Sequence, residues 1–313
     1  MPTKPLTIEG IIAAVPTAFD ATDEVDWKAQ SECFRRVAAS GVQGLFVGGT
    51  TAEFHVLDLA EREKLVEAAI EAVGGRLPIL VHVGAPRPRD AARLARHAEK
   101  AGAVATSAVP PYYFSQRESA VLEYVREVAA ASSLPFLFYH IPSRTHFDVD
   151  EPFAERLAAV PGVAGMKYSH GDLFLQARIL AVAGAGFRIY CGSDEILLSS
   201  LLAGACGAVG SSYNFLAPVF TALWRAFRAG RTNEASSQQI RANKVLAVLA
   251  RYPSIAGTKE AMRHLGIPLG EPRRPLVRLE PAEREALGKE LLAADLLAAA
   301  GVESQAAAAT GGR

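Results

Sequence analysis

Residues 135–169 have the sequence PFLFYHIPSRTHFDVDEPFAERLAAVPGVAGMKYS. Two apolar runs, Pro135–Ile141 and Val163–Tyr168, enclose an amphipathic stretch, Pro152–Val160, that has the spacing of a helix. Both runs are almost continuously apolar, which is typical of parallel strands that are covered on both faces. The stretch therefore predicts one strand–helix–strand unit.

The same alternation extends in both directions along the chain. Amphipathic stretches lie between further apolar runs, and one of them begins at Asp58 with Glu61 as its capping partner. Eight units of this size predict an α/β fold, the (β/α)₈ TIM barrel, with a doubly wound open sheet as the alternative. The six other predicted strands are Ile11–Phe19, Gly44–Gly49, Pro78–Gly84, Ala103–Pro110, Phe187–Gly192 and Gly207–Ser211.

The remainder of the chain is strongly helical in pattern and rich in Ala, Leu and Arg. It predicts the last barrel helix and then a C-terminal helical extension. We therefore divide the 313 residues into three parts. These are a barrel with the candidate catalytic lysine at 1–230, a helical segment packed on the barrel at 231–303, and a flexible tail at 304–313.

The composition limits the kinds of partner and the location that the sequence predicts. Lys and Arg number 33 and Asp and Glu number 33, so a nucleic-acid partner held by bulk charge is excluded. No uncharged apolar stretch reaches the roughly 20 residues of a membrane helix, and no secretory signal is visible. Cys33, Cys191 and Cys206 are odd in number and lack CxxC spacing. The sequence predicts a cytoplasmic protein with reduced thiols, no membrane partner and no nucleic-acid partner.

Lys167 is the sharpest candidate, because chemistry in such a barrel occurs where the strands end. It follows the apolar residues 163–166. A lysine that faces the barrel interior would lose hydration and its pKa would fall, so that the neutral amine could attack a ketone. On residue type and position alone, a lysine that is ion-paired or reaches the solvent is the alternative.

Other strand ends also have two interpretations. Tyr139 fits either packing at the rim or acid–base catalysis, and Arg144 fits either a surface ion pair or a bidentate contact with a carboxylate. The Gly-Gly-Thr-Thr sequence at 48–51 fits either a tight turn or a loop that holds a small carboxylate. The sequence contains no P-loop, dinucleotide fingerprint, zinc-type spacing or GxSxG elbow, and it predicts no metal site.

Together, these strand ends resemble the N-acetylneuraminate lyase and dihydrodipicolinate synthase family of (β/α)₈ pyruvate-dependent lyases. The resemblance extends from about Ile11 to Arg278 and rests on five pieces of sequence. They are Gly49-Thr50-Thr51-x-Glu53, Pro111-Tyr112-Tyr113, Tyr139-x-Ile141-Pro142-Ser143-Arg144-Thr145, Gly165-Met166-Lys167 and Gly192-x-Asp194-Glu195.

The resemblance implies a class I aldolase in which Lys167 forms an imine with pyruvate or another 2-oxo acid, with no further cofactor. Tyr139 would be the acid–base group, and Thr50 and Tyr113 would join it in a proton relay. In relatives a neighbouring subunit often supplies that second tyrosine, and a homotetramer is implied. The implied substrate-binding residues are Thr51, Arg144, Ser169, Gly192, Asp194, Glu195 and Ser211.

The resemblance defines the substrate less closely. Asp194, Glu195 and Ser211 resemble the sialic-acid lyase branch, in which such residues contact polyol hydroxyls. Arg144 resembles the synthase branch, in which it contacts a substrate carboxylate. We expect a sialic-acid-like or 2-oxo-3-deoxy sugar acid as substrate. The alternatives are a dihydrodipicolinate synthase, a sugar-acid dehydratase and a binding protein for 2-oxo acids.

Three positions depart from both branches. Ala52 replaces the usual glycine of the Thr-Thr-Gly-Glu loop, and alanine would be strained there if φ were positive. His140 replaces a common asparagine, and His146 replaces a glycine. These two imidazoles, expected near the mouth of the barrel, favour a substrate other than the two standard ones.

Overall fold

The computed structural model describes residues 6–302 and contains a closed barrel of eight parallel strands. Each strand pairs with the next one along the chain, and β8 pairs with β1 to close the barrel. This closure confirms the predicted (β/α)₈ fold and excludes the open sheet. The strands are β1 (Gly10–Ala14), β2 (Gly44–Val47), β3 (Ile79–His82), β4 (Ala105–Ala108), β5 (Phe136–His140), β6 (Val163–Tyr168), β7 (Arg188–Cys191) and β8 (Gly207–Gly210).

Helices separate the strands and surround the barrel, and more helices follow β8. Two short 3₁₀ turns, Phe54–Val56 and Asp194–Ile196, lie in loops after β2 and β7. The α-helices are α1 (Trp27–Ala38), α2 (Leu59–Val73), α3 (Pro88–Ala101), α4 (Glu118–Ala130), α5 (Pro142–Thr145), α6 (Glu151–Ala158), α7 (Leu173–Ala183), α8 (Leu197–Leu202), α9 (Tyr213–Arg228), α10 (Thr232–Leu249), α11 (Ser254–His264), α12 (Pro281–Ala293) and α13 (Leu296–Ala299).

Helix α2 begins where its sequence predicts. The Asp58 carboxylate accepts a hydrogen bond from the Glu61 backbone N–H at 2.8 Å, and the Glu61 carboxylate accepts one from Asp58 N–H at 2.9 Å. Gly74 ends the helix with φ of 58°, a left-handed conformation that glycine adopts without steric cost. The capping box therefore fixes the point at which the chain leaves the loop after β2.

Alternating side chains of the strands divide the core into two layers. Leu137 and Tyr139 belong to the cluster inside the barrel, whereas Phe136 and Phe138 belong to the cluster between barrel and helices. Tyr139 and Lys167 are register partners on β5 and β6, and paired residues of neighbouring parallel strands face the same side. Lys167 therefore points into the barrel.

Helices α10 to α13 form the C-terminal segment, which contacts α9 and the loop after β7. The predicted boundary at residue 230 falls in the turn between α9 and α10. The division at that boundary stays a prediction, and the predicted tail at 304–313 lies outside the described residues. No helix between residues 6 and 302 has both the length and the apolar character needed to cross a membrane.

Candidate active site

Lys167 lies near the carboxyl end of β6 and is buried. Its Nζ atom is 4.1 Å from the ring centroid of Tyr139 and 5.0 Å from that of Phe46. The aromatic faces favour a cation and restrict the lysine to one side of the barrel mouth. The amine thus lies beside Tyr139, whose phenol can exchange a proton with it.

Tyr139 is buried beside Lys167, and its hydroxyl is hydrogen-bonded to Thr50 Oγ1 at 3.3 Å. Burial by itself would raise the pKa of the phenol. The charge of Lys167, the hydrogen bond with Thr50 and the nearby Lys167 amine and Ser169 hydroxyl outweigh that effect, and the pKa of Tyr139 is lowered. The structure therefore brings three of the four predicted catalytic residues together: Lys167, Tyr139 and Thr50.

The loop that carries Thr50 and Thr51 turns tightly after β2. Gly48 has φ of 71°, and a Cβ at Gly49 would lie 2.5 Å from the ring of Phe46, so both glycines are required by the backbone path. Thr51 is buried in the turn. The N–H groups of residues 52–54 donate to carbonyls within the loop, so the hydroxyls and N–H groups of Thr50 and Thr51 are the ones that could bind a carboxylate here.

Ala52 does not carry the strain that a positive φ would impose. Besides Gly48, the residue of this loop with a left-handed conformation is Glu53, with φ of 60°. Ala52 is buried, and its carbonyl accepts a hydrogen bond from Thr17 Oγ1 at 2.7 Å. The departure from glycine at position 52 therefore leaves the loop intact.

Ser169 and Gly192 meet at the ends of β6 and β7. A Cβ built on Gly192 would lie 1.9 Å from Ser169 Oγ, so only glycine leaves space for the serine side chain. Ser169 Oγ is buried and has no hydrogen-bond partner among the described residues, and its proximity contributes to the lowered pKa of Tyr139. Both predicted residues are therefore next to the Lys167–Tyr139 pair.

Arg144 is exposed on the short helix α5, at the rim of a cavity of about 200 Å³ that we call the mouth cavity. Thr50 lines the same cavity, so the cavity begins one side chain away from Tyr139. Its other walls are mostly apolar. The complete lining is Thr50, Phe54, His55, Val109, Tyr112, Ile141, Arg144 and Thr145.

A second cavity of about 460 Å³, here called the Asp194 cavity, lies between the ends of β7 and β8 and the C-terminal helices. It contains the other predicted substrate residues, Asp194, Glu195 and Ser211. Burial raises the pKa of Asp194 and of Glu195. The Asp194 carboxylate already accepts hydrogen bonds from the Ser212 N–H at 2.9 Å and from the Ser212 hydroxyl at 2.5 Å.

Tyr113 lies apart from the predicted proton relay within this chain. Its side chain is 82% exposed and stacks edge-on against Phe114, which is 71% exposed. Both residues lie in the loop between β4 and α4. The structure of one chain therefore leaves the fourth catalytic position unconnected to Tyr139 and Thr50.

The two additional histidines do not both face the barrel mouth. His140 is almost completely buried and packs against Tyr168 and His170 on the outer side of the strands. Burial, with a smaller contribution from His170, lowers the pKa of His140 to about 3. His146 is exposed and has φ of 53°, the conformation that glycine would adopt at lower cost.

His82 is a site residue that sequence reasoning missed. Its Nδ1 is 3.0 Å from the Gly48 carbonyl, and its Nε2 accepts a hydrogen bond from the Val109 N–H at 3.3 Å. Burial and then the charge of Arg62 lower the pKa of His82 well below its usual value, so the ring is neutral. The available signal was a histidine at the end of a buried strand. Through these two hydrogen bonds His82 connects the loop after β2 with the loop after β4.

The three cysteines are free thiols, and burial raises the pKa of Cys191, at the end of β7, to about 11. Cys191 is therefore a packed thiol with weak nucleophilic character at neutral pH. Between residues 6 and 302, no three His, Cys, Asp or Glu side chains gather closely enough to hold a metal ion.

Comparisons with known proteins find similar sequences and structures along most of the chain. The sequence model of the dihydrodipicolinate synthetase family matches residues 7–294. The N-acetylneuraminate lyase of Rhizobium meliloti (strain 1021) is 36% identical over 90% of this chain and 94% of its own length. The solved structure of Proteus mirabilis N-acetylneuraminate lyase has a TM-score of 0.87 and 33% identity, and covers 94% of this chain and 100% of that one. Dihydrodipicolinate synthase from Aquifex aeolicus has a TM-score of 0.87 and 27% identity, with 92% and 98% covered.

Proposed function

The chain belongs to the dihydrodipicolinate synthetase family, and from this premise we propose that Lys167 forms a Schiff base with the keto carbon of pyruvate or another 2-oxo acid. Its similarity to these homologues shows that the chain is a carbon–carbon lyase, a class I pyruvate-dependent aldolase. The single observation that carries the proposal is the position of Lys167 Nζ, buried 4.1 Å from the ring of Tyr139.

Imine formation uses the neighbouring hydroxyl groups. Lys167 first gives a proton to the deprotonated Tyr139, and the neutral amine then attacks the keto carbon. The carbinolamine takes a proton back from Tyr139 and loses water, which gives the protonated imine and leaves Tyr139 deprotonated. Tyr139 and Thr50, hydrogen-bonded to each other, transfer the protons that this step requires. The hydroxyls and N–H groups of Thr50 and Thr51 receive the carboxylate of the 2-oxo acid.

The imine is then the electron sink for bond cleavage, so the proposal requires no external cofactor. In its deprotonated form Tyr139, whose pKa is lowered, accepts the proton of the hydroxyl on the carbon that leaves. The electron pair of the breaking carbon–carbon bond moves into the imine and forms an enamine, and the aldehyde departs. Protonation of the enamine and hydrolysis of the imine release pyruvate and restore the lysine.

The aldehyde half of the substrate can leave this centre in two directions. In the first direction the aldehyde half would be a hydroxylated chain, as in a sialic-acid-like or 2-oxo-3-deoxy sugar acid. It would pass Ser169 and Gly192 and reach Asp194, Glu195 and Ser211. Toward Arg144 it would carry a second anionic group, as in the synthase reaction. Loss of water from a 2-oxo-3-deoxy sugar acid would use the same lysine.

Assembly forms part of the proposal. A homotetramer would cover the exposed aromatic pair Tyr113–Phe114 and would allow Tyr113 to reach the relay of a neighbouring subunit. Phe174 on α7 and Leu202 on α8 are also large exposed apolar side chains, and these helices contact each other.

We also propose a cytoplasmic location, which the three free cysteines favour. The boundary at residue 230, between the barrel and the helical segment, belongs to the same proposal.

Borohydride trapping tests the central step. Reduction of the protein in the presence of pyruvate should add one reduced pyruvyl group to Lys167, located by peptide mass spectrometry. The Lys167→Ala variant should give no adduct, whereas Lys244→Ala, which removes an exposed lysine on α10, should react as the unmodified chain does. A folded protein without an adduct on Lys167 would disprove the Schiff base.

A further inference from the structure

The residues of the proposed proton relay come from three separate parts of the barrel mouth. Thr50 lies in the loop after β2, Tyr139 lies near the end of β5, and Tyr113 lies in the loop after β4. The hydroxyls of Thr50 and Tyr139 are 3.3 Å apart, which is longer than most hydrogen bonds between hydroxyl groups. A small displacement of either side chain would break this contact, so the relay depends on the groups that hold these parts in place.

His82, the last residue of β3, is buried beside the ring of Tyr139. The two rings are perpendicular, with centroids 5.9 Å apart. Phe46 lies edge-on to Tyr139 at 6.2 Å, and Phe54 lies edge-on to His82 at 4.4 Å. Edge-on contacts between aromatic rings are favourable, so this packing restricts the position of the phenol.

Both ring nitrogens of His82 contact the backbone of a loop that carries a relay residue. The Val109 N–H can only donate, so His82 Nε2 is the acceptor and the proton of the neutral ring is on Nδ1. Nδ1 then donates to the Gly48 carbonyl at 3.0 Å. Gly48 begins the loop of Thr50, and Val109 begins the loop of Tyr113. Because both nitrogens are engaged, the imidazole is not itself an acid–base group for the substrate.

A buried arginine helps to keep this imidazole neutral. The guanidinium of Arg62 donates a hydrogen bond to the His82 carbonyl at 2.9 Å. Burial first, and then the charges of Arg62 and Lys167, lower the pKa of His82 well below its usual value. Protonation would also direct a second ring N–H at the Val109 N–H, donor against donor. The neutral ring and both of its hydrogen bonds therefore persist at neutral pH.

From these contacts we infer that His82 is a positioning residue for the proton relay. One hydrogen bond to each loop and an edge contact with Tyr139 allow a single side chain to set the distance between Thr50 and Tyr139. The same side chain sets the direction in which the loop of Tyr113 leaves the barrel. This role rests on the proposed Schiff-base function, because His82 acts through the relay. Loss of its bond to Gly48 should slow proton transfer but leave Lys167 able to form the imine.

The time course of borohydride trapping tests this role with pyruvate as the only probe. Borohydride is added at successive times after mixing with saturating pyruvate, and the adduct on Lys167 is measured by mass spectrometry. The rate constant of imine formation reports the relay, because this step requires proton transfers. His82→Asn places an amide nitrogen where Nδ1 lies and keeps a donor for the Gly48 carbonyl. His82→Gln places its amide where Nε2 lies and keeps only an acceptor for the Val109 N–H.

The two variants should therefore differ in rate, although both remove the imidazole. His82→Gln should slow imine formation by about tenfold, and His82→Asn should stay within about threefold of the unmodified chain. The final amount of adduct should be the same in both. His97→Gln is the matched control, because this histidine on α3 contacts Glu67 and should not affect the rate. Equal slowing in the Asn and Gln variants would assign His82 to packing alone and overturn the inference.

Gly84→Ala tests the same role without changing the histidine. A Cβ at Gly84 would lie 2.8 Å from His82 Nε2 and 3.0 Å from the Val109 nitrogen, so it would displace the ring. Imine formation should slow by about tenfold, whereas Gly186→Ala, whose added Cβ has nothing within 4 Å, should have no effect. Failure of trapping on the unmodified chain would disprove the proposed function itself. If trapping succeeds and both His82→Gln and Gly84→Ala, shown to be folded by circular dichroism, form the imine at the unmodified rate, only the positioning role is overturned.

Discussion

Lys259 Nζ lies 2.7 Å from Glu53 Oε1, and the two side chains are 3% and 0% exposed. Glu53 follows the Thr50–Thr51 loop, whereas Lys259 is on α11 of the C-terminal segment. The second carboxylate oxygen of Glu53 accepts a hydrogen bond from the Arg273 N–H at 2.8 Å. The C-terminal segment therefore binds, through Glu53, the loop that carries Thr50 of the proposed proton relay.

Removal of one partner of this ion pair should be costly. Lys259→Met leaves the Glu53 carboxylate buried without its cation, and we expect a loss of about 3–5 kcal/mol in the free energy of unfolding. Chemical denaturation followed by circular dichroism measures the loss. The double variant Lys259→Met/Glu53→Gln keeps an acceptor for the Arg273 N–H and removes the buried charge, so it should recover much of the stability. Equal losses in the single and double variants would show that the pair is not coupled.

The sequence predicts the parts of the site that depend on strand ends. Lys167 and Tyr139 stand at the ends of apolar runs, where a barrel places its chemistry, and the family resemblance implies their roles. Glu53 and Lys259 are far apart in the chain, and no local pattern indicates that they meet. The hydrogen bonds between Asp194 Oδ2 and Ser212 depend on side-chain rotamers, so the sequence does not show that one oxygen of this carboxylate is bonded within the chain while Oδ1 has no partner among the described residues.

The proposed proton relay predicts that loss of the Tyr139 hydroxyl slows turnover strongly while an imine on Lys167 can still form. Tyr139→Phe removes the hydroxyl that contacts Thr50, and kcat should fall by about 10²–10⁴ because general acid–base catalysis is lost. The variant should still bind pyruvate, and slow borohydride trapping on Lys167 should remain detectable. Tyr252→Phe, which removes a hydroxyl bonded to Glu290 far from the barrel mouth, is the matched control. Unchanged kcat in Tyr139→Phe would exclude the tyrosine as the acid–base group.

His140 predicts a specific acid sensitivity of the fold. Its pKa is about 3 in the folded chain, mainly through burial, against an ordinary value of 6.5. Between these values the unfolded chain binds the extra proton, so stability is lost as the pH falls through that range. The expected contribution is about 1.4 kcal/mol per pH unit. Denaturation at pH 6.5, 5.5 and 4.5 should show a shallower dependence for His140→Asn. Equal slopes in both chains would contradict the prediction.

The contact between Gly192 and Ser169 predicts that a single methyl group disturbs the site. Gly192→Ala places a Cβ 1.9 Å from Ser169 Oγ, so the serine must leave its position beside Tyr139. We expect a loss of about 1–3 kcal/mol in stability and a raised KM for the 2-oxo acid. Gly171→Ala is the matched control, because nothing lies within 4 Å of its added Cβ. Ser169→Gly in the Gly192→Ala background removes the hydroxyl and should recover stability but not KM. Recovery of both would assign Ser169 to packing alone.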